Sequence, residues 1–95
     1  MERTRLTAEE LTEKLSEVNT WQEIDNKIFK RFNFKNFAES LAFVNKVGAI
    51  AESQDHHPDI TFGWGYAEFS ITTHDAGGLT KKDFTLAKKI ENLDD

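Results

Sequence analysis

The chain has 95 residues, a net charge of −5 at pH 7 and no cysteine. A chain of this length is expected to fold as one domain, which buries roughly 60–68% of the surface that the unfolded form exposes. We therefore expect a single domain over residues 1–95. The acidic balance argues against a nucleic-acid partner, because nonspecific binding to a phosphate backbone needs clustered Lys and Arg. The lack of cysteine excludes a disulfide framework, a thiolate metal site and a cysteine nucleophile.

The N-terminal stretch MERTRLTAEELTEKL is charged and lacks the apolar run of a signal peptide. No segment approaches the ~18 consecutive apolar residues that indicate a membrane span. Both observations favour a cytoplasmic protein without a membrane partner.

The first predicted element is a helix. Thr7 and Glu10 have the spacing of a capping box, and the apolar residues that follow form one helical stripe: Leu11, Leu15 and Val18. The next stretch, WQEIDNKIFKRFNF, has period-two character, with apolar residues sharing one face: Ile28, Phe32 and Phe34. Because Asp25-Asn26 offers a turn, this stretch predicts a β-hairpin.

A second helix is predicted from Asn36 to about Ser53. Its apolar stripe recurs at steps of three and four residues: Phe37, Leu41, Val44, Val47 and Ala51. Phe43 and Ile50 lie off this stripe, which predicts spare apolar surface on the helix. Pro58 cannot continue a helix and pushes His57 toward an extended conformation, so the two adjacent histidines lie between a helix end and a strand.

The stretch DITFGWGYAEFSITTH predicts a second hairpin that turns around Gly63–Gly65. On its last strand one face carries Ala67, Phe69 and Ile71, and the other carries Glu68, Ser70, Thr72 and His74. Thr80 then caps a final helix, with Asp83 at position N3 and an inward stripe of Phe84, Ala87 and Ile90. The predicted fold is α+β, in the order α-β-β-α-β-β-α: a four-stranded antiparallel sheet with three helices packed on one face.

The three histidines are candidates for proton transfer. A histidine near a turn often has no role, but His56 and His57 are adjacent and are followed by a proline. If the second helix extends far enough, the carboxylate of Glu52 falls near the ring of His56 and orients it. His74 precedes a glycine break, where binding groups are common. Asp83 is expected either to reach back to that imidazole or only to stabilise its own helix N-terminus.

Three histidines and an acid suit two kinds of site. A zinc site would use three His ligands and a bound water. However, adjacent side chains point apart in an extended chain, so His56 and His57 are poorly placed to share one ion. Metal-free acid/base catalysis needs only imidazoles, which titrate near pH ~6.5 and exchange protons at neutral pH. The geometry favours this second kind of site, with no metal.

Two segments, ESQDHHPDI and TTHDAGGLTKKD, together resemble the signature of the pterin-4a-carbinolamine dehydratase family. That signature is an acid four residues before His-His-Pro, then Thr-His, then Gly-Leu-Thr/Ser-x-x-Asp. All its elements stand in this chain: Glu52, His56-His57-Pro58, Thr73-His74, Gly78-Leu79-Thr80 and Asp83. The resemblance runs across nearly the whole chain, including the order of helices and strands.

The resemblance implies an enzyme, a 4a-hydroxytetrahydrobiopterin dehydratase. Such a hydro-lyase converts the 4a-hydroxytetrahydropterin formed by aromatic amino acid hydroxylases into quinonoid dihydropterin and water, in tetrahydrobiopterin recycling. No metal or organic cofactor is implied. A hydroxylase of the same pathway is implied as a functional partner.

The same resemblance implies an active site of His56, His57 and His74. We expect His56 and His74 to form the acid/base pair, in an order that the sequence leaves open, and His57 to contact the pterin. The supporting or substrate-binding positions are Glu52, Asp55, Pro58, Thr73 and Asp83.

Two departures from the family pattern are expected to lie beside the site. Many relatives have Trp where this chain has Ile60, and Tyr-Asn where it has Trp64-Gly65. Relatives also act as dimerisation cofactors of a transcription factor, so the alternative function is a protein-binding module that retains the pterin cleft. The intact set of histidines favours the enzyme.

Self-association is also expected. The strand KIFKRFNF has bulky apolar residues on one face, and only Lys30 and Arg31 are charges that would protect an open sheet edge from pairing with another chain. In the family the sheet continues across a dimer interface, and dimers pair again through helices. We therefore expect a homodimer or a homotetramer.

Overall fold

The computed structural model describes residues 4–93. Its helices and strands are α1 (Ala8–Glu17), β1 (Gln22–Ile24), β2 (Lys27–Asn33), α2 (Phe37–Gln54), β3 (Asp59–Gly63), β4 (Tyr66–Ile71) and α3 (Lys81–Leu93). A short 3₁₀ turn, His74–Ala76, lies between β4 and α3. The predicted α+β class and the order α-β-β-α-β-β-α are confirmed.

The helix starts are built by side chains that satisfy free backbone N–H groups. At α1 the Thr7 hydroxyl accepts from the Glu10 N–H (3.2 Å), and the Glu10 carboxylate accepts from the Thr7 N–H (2.9 Å). At α2 the side chain of Asn36 accepts from the Glu39 N–H (2.9 Å). The N–H groups of the first helical turn have no partner within the helix, and these bonds supply one. Both helices therefore begin directly after their polar capping residues, Thr7 and Asn36.

The four strands form one antiparallel sheet in the order β1-β2-β4-β3. Asp25 and Asn26 have φ angles of 52° and 63°, the left-handed pair that a tight two-residue hairpin turn requires. The expectation that β2 is an edge strand is wrong over its first half, because β1 pairs with it as far as Phe29. Beyond that point, within residues 4–93, only β4 pairs with the segment 30–33.

The helices cover one face of the sheet. That face contributes residues from three strands to the core: Ile28, Phe32, Ala67, Phe69 and Ile71, with Ile60 and Phe62 packed at its border. Helix α3 adds four buried apolar residues: Phe84, Leu86, Ala87 and Ile90. The described part of the chain has no helix that is long and apolar enough to cross a membrane.

The buried side of α2 follows the predicted stripe at Val47 and Ala51 and differs from it in the first turns of the helix. Phe37 and Leu41 are 45% and 38% exposed, whereas Ser40 and Phe43 are buried. Ser40 can be buried because its hydroxyl donates to the Gly63 carbonyl (2.6 Å). Phe43 packs into the aromatic core, with its ring centroid 4.9 Å from that of Phe32. The prediction that Phe43 adds exposed apolar surface is therefore wrong. The large apolar residues that α2 exposes are Phe37 and Leu41.

The two tryptophans have opposite environments. Trp21 is 4% exposed, and its indole N–H donates to the Glu91 carboxylate (3.0 Å), which also accepts from Lys30. Trp64 is 72% exposed in the turn between β3 and β4. The sheet therefore has one tryptophan anchored beside α3 and one in solvent.

The segment after β4 leaves the sheet earlier than expected. The prediction that His74 closes this strand is wrong, because β4 ends at Ile71 and His74 begins the 3₁₀ turn. Thr73 and Gly78 form an isolated backbone bridge that closes the segment into a loop. Gly77, with φ 72°, supplies the left-handed residue that turns the chain back toward α3.

Candidate active site

The three histidines lie on two segments that meet at one end of the sheet. The segment 55–57 follows α2, and the segment 72–75 follows β4. Between them is a recess of about 190 Å³, lined by Asp55, His56, His57, Thr72, Thr73, His74 and Asp75. The structure therefore brings together all three histidines, although they are up to 18 residues apart in the sequence (74 − 56).

His56 is the buried member of the set. It is 7% exposed, and its Nε2 lies 2.6 Å from Oδ1 of Asp83, which is fully buried. The other oxygen of Asp83 accepts from the Thr73 hydroxyl (2.9 Å) and from the Thr80 N–H (2.8 Å). A carboxylate fits this arrangement, because both oxygens face donors. With Nε2 donating to Asp83, the His56 atom left to exchange a proton with a ligand is Nδ1.

His57 has an exposed acid partner. Its Nε2 lies 2.6 Å from Oε2 of Glu52, and the two side chains are 55% and 79% exposed. The prediction that Glu52 orients His56 is wrong. Asp55, with φ 51°, takes a left-handed conformation that ends the helix. The chain therefore changes direction before His56, whose ring turns inward to α3 while His57 takes the place beside Glu52.

His74 has no hydrogen-bonding partner for its ring within residues 4–93, and it is exposed. The hypothesis that Asp83 reaches back to His74 is wrong. From position N3 of α3, the Asp83 carboxylate points into the buried cluster with Thr73 and Thr80, where it meets His56 instead. The site thus contains two His-acid pairs and one histidine held only by its backbone.

The other predicted residues surround these histidines. Thr73 is buried and couples the His74 loop to Asp83 through its hydroxyl. Asp55 is exposed at the rim, and Pro58 is partly buried next to His57. Ile60 lines a groove together with Pro58 and His57, so this departure does lie beside the site. Trp64 follows the far end of β3 and is not part of the recess lining, so the expectation that it lies there is wrong.

Sequence reasoning missed two residues of the site. Thr80 was predicted as a helix cap and as part of the family signature but not as a site residue, yet it is fully buried, and its hydroxyl lies 2.9 Å from that of Thr73. Lys82 lines a second recess of about 300 Å³, together with His56, Gln54 and Thr85. The signal for Thr80 was its place in the signature, three residues before Asp83. For Lys82 the sequence carried no signal, because a lysine in a first helical turn is usually a surface residue.

The arrangement of the histidines and acids also bears on metal binding. Among residues 4–93, no three His, Asp or Glu side chains converge in a geometry that would hold a metal ion. The two ring nitrogens that contact acids are each 2.6 Å from a carboxylate oxygen, which makes them hydrogen-bonded groups in this arrangement. The arrangement provides three imidazoles at one recess, of which His56 is buried and the other two are exposed. Such groups can donate and accept protons.

Comparison with known proteins gives one consistent family. Residues 4–93 match the family described as Pterin 4 alpha carbinolamine dehydratase. A relative from Picosynechococcus sp. is 51% identical over 90 residues, covering 95% of this chain and 98% of its own. One from Rubrobacter xylanophilus is 47% identical over 89 residues, covering 93% of this chain and 83% of its own. Both carry the provisional name pterin-4-alpha-carbinolamine dehydratase.

Two solved structures have similar folds. A transcriptional coactivator/pterin dehydratase from Brucella melitensis superimposes with a TM-score of 0.90 at 30% identity, covering 95% of this chain and 98% of that one. A pterin dehydratase-like protein, identified as a RuBisCO assembly factor in the alpha-carboxysome, gives a TM-score of 0.64 at 26% identity. That alignment covers 77% of this chain and 84% of the other.

Proposed function

Because the chain belongs to the pterin 4 alpha carbinolamine dehydratase family, we propose that it dehydrates a 4a-hydroxytetrahydropterin to quinonoid dihydropterin and water. The observation that carries this proposal is the meeting of His56, His57 and His74 at one recess. A reaction that only moves protons and releases water needs such groups and no redox partner. The substrate would be supplied by a tetrahydropterin-dependent aromatic amino acid hydroxylase.

The dehydration has two proton transfers. The C4a–O bond breaks and the leaving hydroxyl takes a proton, so that it departs as water. A ring nitrogen of the pterin loses its proton, and the electron pair of that N–H bond forms the new C=N bond. No net proton is gained or lost, so one acid and one base of similar strength suffice.

We assign the acid and base to His56 and His74. Asp83 holds His56 through Nε2, so His56 exchanges protons through Nδ1 and its ring orientation is fixed. His74 is exposed and its ring has no bonding partner in the described part of the chain, so both nitrogens are available. His57, at the rim with Glu52, would bind the pterin. Asp55 and Thr73 would complete the site around them.

Turnover by the purified protein tests this proposal. The carbinolamine is generated in situ, and its conversion to quinonoid dihydropterin is followed by absorbance, with and without a strong chelator. We expect a rate well above the uncatalysed one, and equal rates with and without chelator. A rate no higher than the uncatalysed reaction would overturn the proposal, and a chelator-sensitive rate would revive the three-histidine metal site.

The second candidate function is protein binding that retains the cleft. It is supported by the two solved structures, which are described as a coactivator and as an assembly factor. It is also supported by the apolar residues that α2 exposes, Phe37 and Leu41. The variant Leu41→Glu separates the two functions: it would weaken protein binding and leave dehydration unchanged, because Leu41 is not part of the recess lining.

We further propose that the protein is at least a homodimer in the cytoplasm. The segment 30–33 of β2 keeps one free side within the described residues, and such an edge pairs readily with another strand. Sedimentation at micromolar concentration tests this. A species of about twice 10.9 kDa or more is expected, and a 10.9 kDa monomer alone would contradict the proposal.

A further inference from the structure

The loop that carries His74 has two ordinary internal bonds, from the Ala76 N–H to the Thr73 carbonyl (3.1 Å) and from the Gly77 N–H to the His74 carbonyl (3.0 Å), and one longer pair. Its only backbone bridge joins Thr73 and Gly78, with N···O distances of 3.3 and 3.4 Å, near the long limit of a hydrogen bond. The His74 ring has no hydrogen bond of its own among residues 4–93, whereas His56 and His57 each contact an acid. The position of the His74 ring therefore depends on how its loop is held against the rest of the molecule.

The buried Thr73 hydroxyl, which contacts Asp83 and Thr80, anchors the start of the loop. Two neighbouring segments add further bonds. From the β1–β2 turn, the Asn26 carbonyl accepts a short bond from the Thr72 hydroxyl (2.7 Å). From the N-terminal segment, the Leu6 N–H donates to the Leu79 carbonyl (2.9 Å). These bonds fix the two ends of the loop, one residue before and one residue after its own bridge.

Arg5 joins both supports. Its guanidinium lies directly over Gly78: a Cβ built on Gly78 would fall 2.7 Å from Arg5 Nε and 3.2 Å from Cζ. The same guanidinium places Nη2 3.5 Å from Oδ1 of Asn26. A planar guanidinium can pack on bare backbone and direct its N–H groups sideways at the same time, which a lysine ammonium cannot do.

We propose that Arg5 is a positioning residue for His74. By packing on Gly78 and reaching Asn26, it presses the His74 loop against the β1–β2 turn and fixes the imidazole at the rim of the recess. The catalytic consequence rests on the function proposed above, but the positioning itself does not. Arg5 touches no reacting atom, so it acts only through His74.

Gly78 gives an independent way to break the same contact. Its φ angle is not in the left-handed region, unlike those of Gly65 and Gly77, so alanine is allowed there by the backbone. The three atoms nearest to a methyl group at that position all belong to the Arg5 side chain, at 2.7–3.4 Å. Gly78→Ala should therefore displace the guanidinium while the positive charge stays in the protein.

The first test uses the ring resonances of the three histidines by NMR, assigned with single His→Ala variants. In Arg5→Ala and in Gly78→Ala the His74 ring resonances should shift, and those of His56 should stay in place. The double variant should shift them no further than either single one. Because Gly78→Ala keeps the charge, a shared shift reports displacement of the loop and not loss of the charge.

The control is Lys89→Ala. Lys89 is an exposed cation of α3 that lines neither recess at His56, so its loss should leave all three histidines unchanged. Unchanged His74 resonances in both Arg5→Ala and Gly78→Ala would overturn the proposal. This readout needs no substrate, so it decides the positioning even if the protein lacks dehydratase activity.

The second test is kinetic. Arg5→Ala should lower kcat about tenfold with little change in KM, because a small displacement of a reacting group is costly. Arg5→Lys should recover only part of the loss. In a His74→Ala background, Arg5→Ala should have no further effect on kcat. An equal loss in that background would show a general structural role and would overturn the proposal.

Discussion

The two imidazoles assigned to proton transfer are held in opposite ways. His56 is buried and bonded to a buried carboxylate that also holds Thr73 and Thr80. His74 is exposed on a loop that its neighbours support from outside. His56 and Asp83 are therefore part of the core, whereas the His74 side chain lies on the surface. Variants of the buried pair should therefore alter stability and activity together, and variants of the His74 side chain should alter activity alone.

The largest expected effect is on turnover. His56→Ala and His74→Ala should each lower the dehydration rate by roughly 10²–10⁴-fold, the usual contribution of a positioned acid or base. Only His56→Ala should also lower the free energy of unfolding, because it leaves the Asp83 carboxylate without its ring partner. Steady-state kinetics and chemical denaturation of both variants check this. Wild-type turnover in both would contradict the assignment of roles.

The next largest effect is on stability. Asp83→Ala should lower the free energy of unfolding by about 3–5 kcal/mol, because it removes one member of a buried pair and strands the other partners. Asp83→Asn keeps the shape of the side chain and should cost less. The matched control is Glu52→Ala, the exposed acid partner of His57, which should leave the denaturation midpoint nearly unchanged. An equal loss of unfolding free energy in the two alanine variants would contradict the distinction between the buried and the exposed part of the site.

A smaller effect is expected at the rim. His57→Ala should raise KM about tenfold, the equivalent of losing one hydrogen bond to a ligand worth ~1.5 kcal/mol, with kcat nearly unchanged. Glu52→Ala should raise KM less, because Glu52 acts only by orienting the ring and the pair is exposed. A fall in kcat for His57→Ala with KM unchanged would contradict the binding role and indicate that His57 takes part in proton transfer.

The smallest effect concerns acidic groups away from the site. The hydrogen bond from the Thr7 backbone lowers the pKa of Glu10 below its ordinary 4.5, and the bond from Lys88 likewise lowers the pKa of Glu17. A lowered pKa in the folded state stabilises the protein above the unfolded value and is lost as the pH falls through the folded one. Stability should therefore decline below about pH 4.5, and Glu10→Gln with Glu17→Gln should flatten that decline in pH-dependent denaturation curves.

Local signals in the sequence carried most of the fold. The turn at Asp25-Asn26, the cap at Thr7 and the alternation of Ala67, Phe69 and Ile71 are each set by neighbouring residues, and each was predicted correctly. The buried side of α2 was predicted correctly at Val47 and Ala51 but not in its first turns, because the pattern counts only apolar residues and does not anticipate a buried Ser40. Ser40 lies inside owing to a bond with Gly63, which is 23 residues away.

The acid partners of the histidines were predicted wrongly for a similar reason. The spacing of Glu52 and His56 fits a continuous helix, but a left-handed Asp55 ends the helix between them. Likewise, the contact between Asp83 and His74 was predicted for a strand that continued to His74, yet the chain leaves the sheet after Ile71. Residue types and motif spacing identified the histidines of the site. Which acid meets which ring depends on chain direction, which a single backbone torsion decides.

The contrast between Trp21 and Trp64 gives these experiments an optical signal that is already in the chain. Trp64 is in solvent, so its fluorescence should be red-shifted in the folded and the unfolded protein alike. Trp21 is buried beside Glu91, so its emission should move to longer wavelength only when the core opens. A Trp64→Phe background would leave Trp21 as the sole tryptophan. The unfolding of every site variant could then be followed by its fluorescence without an added label.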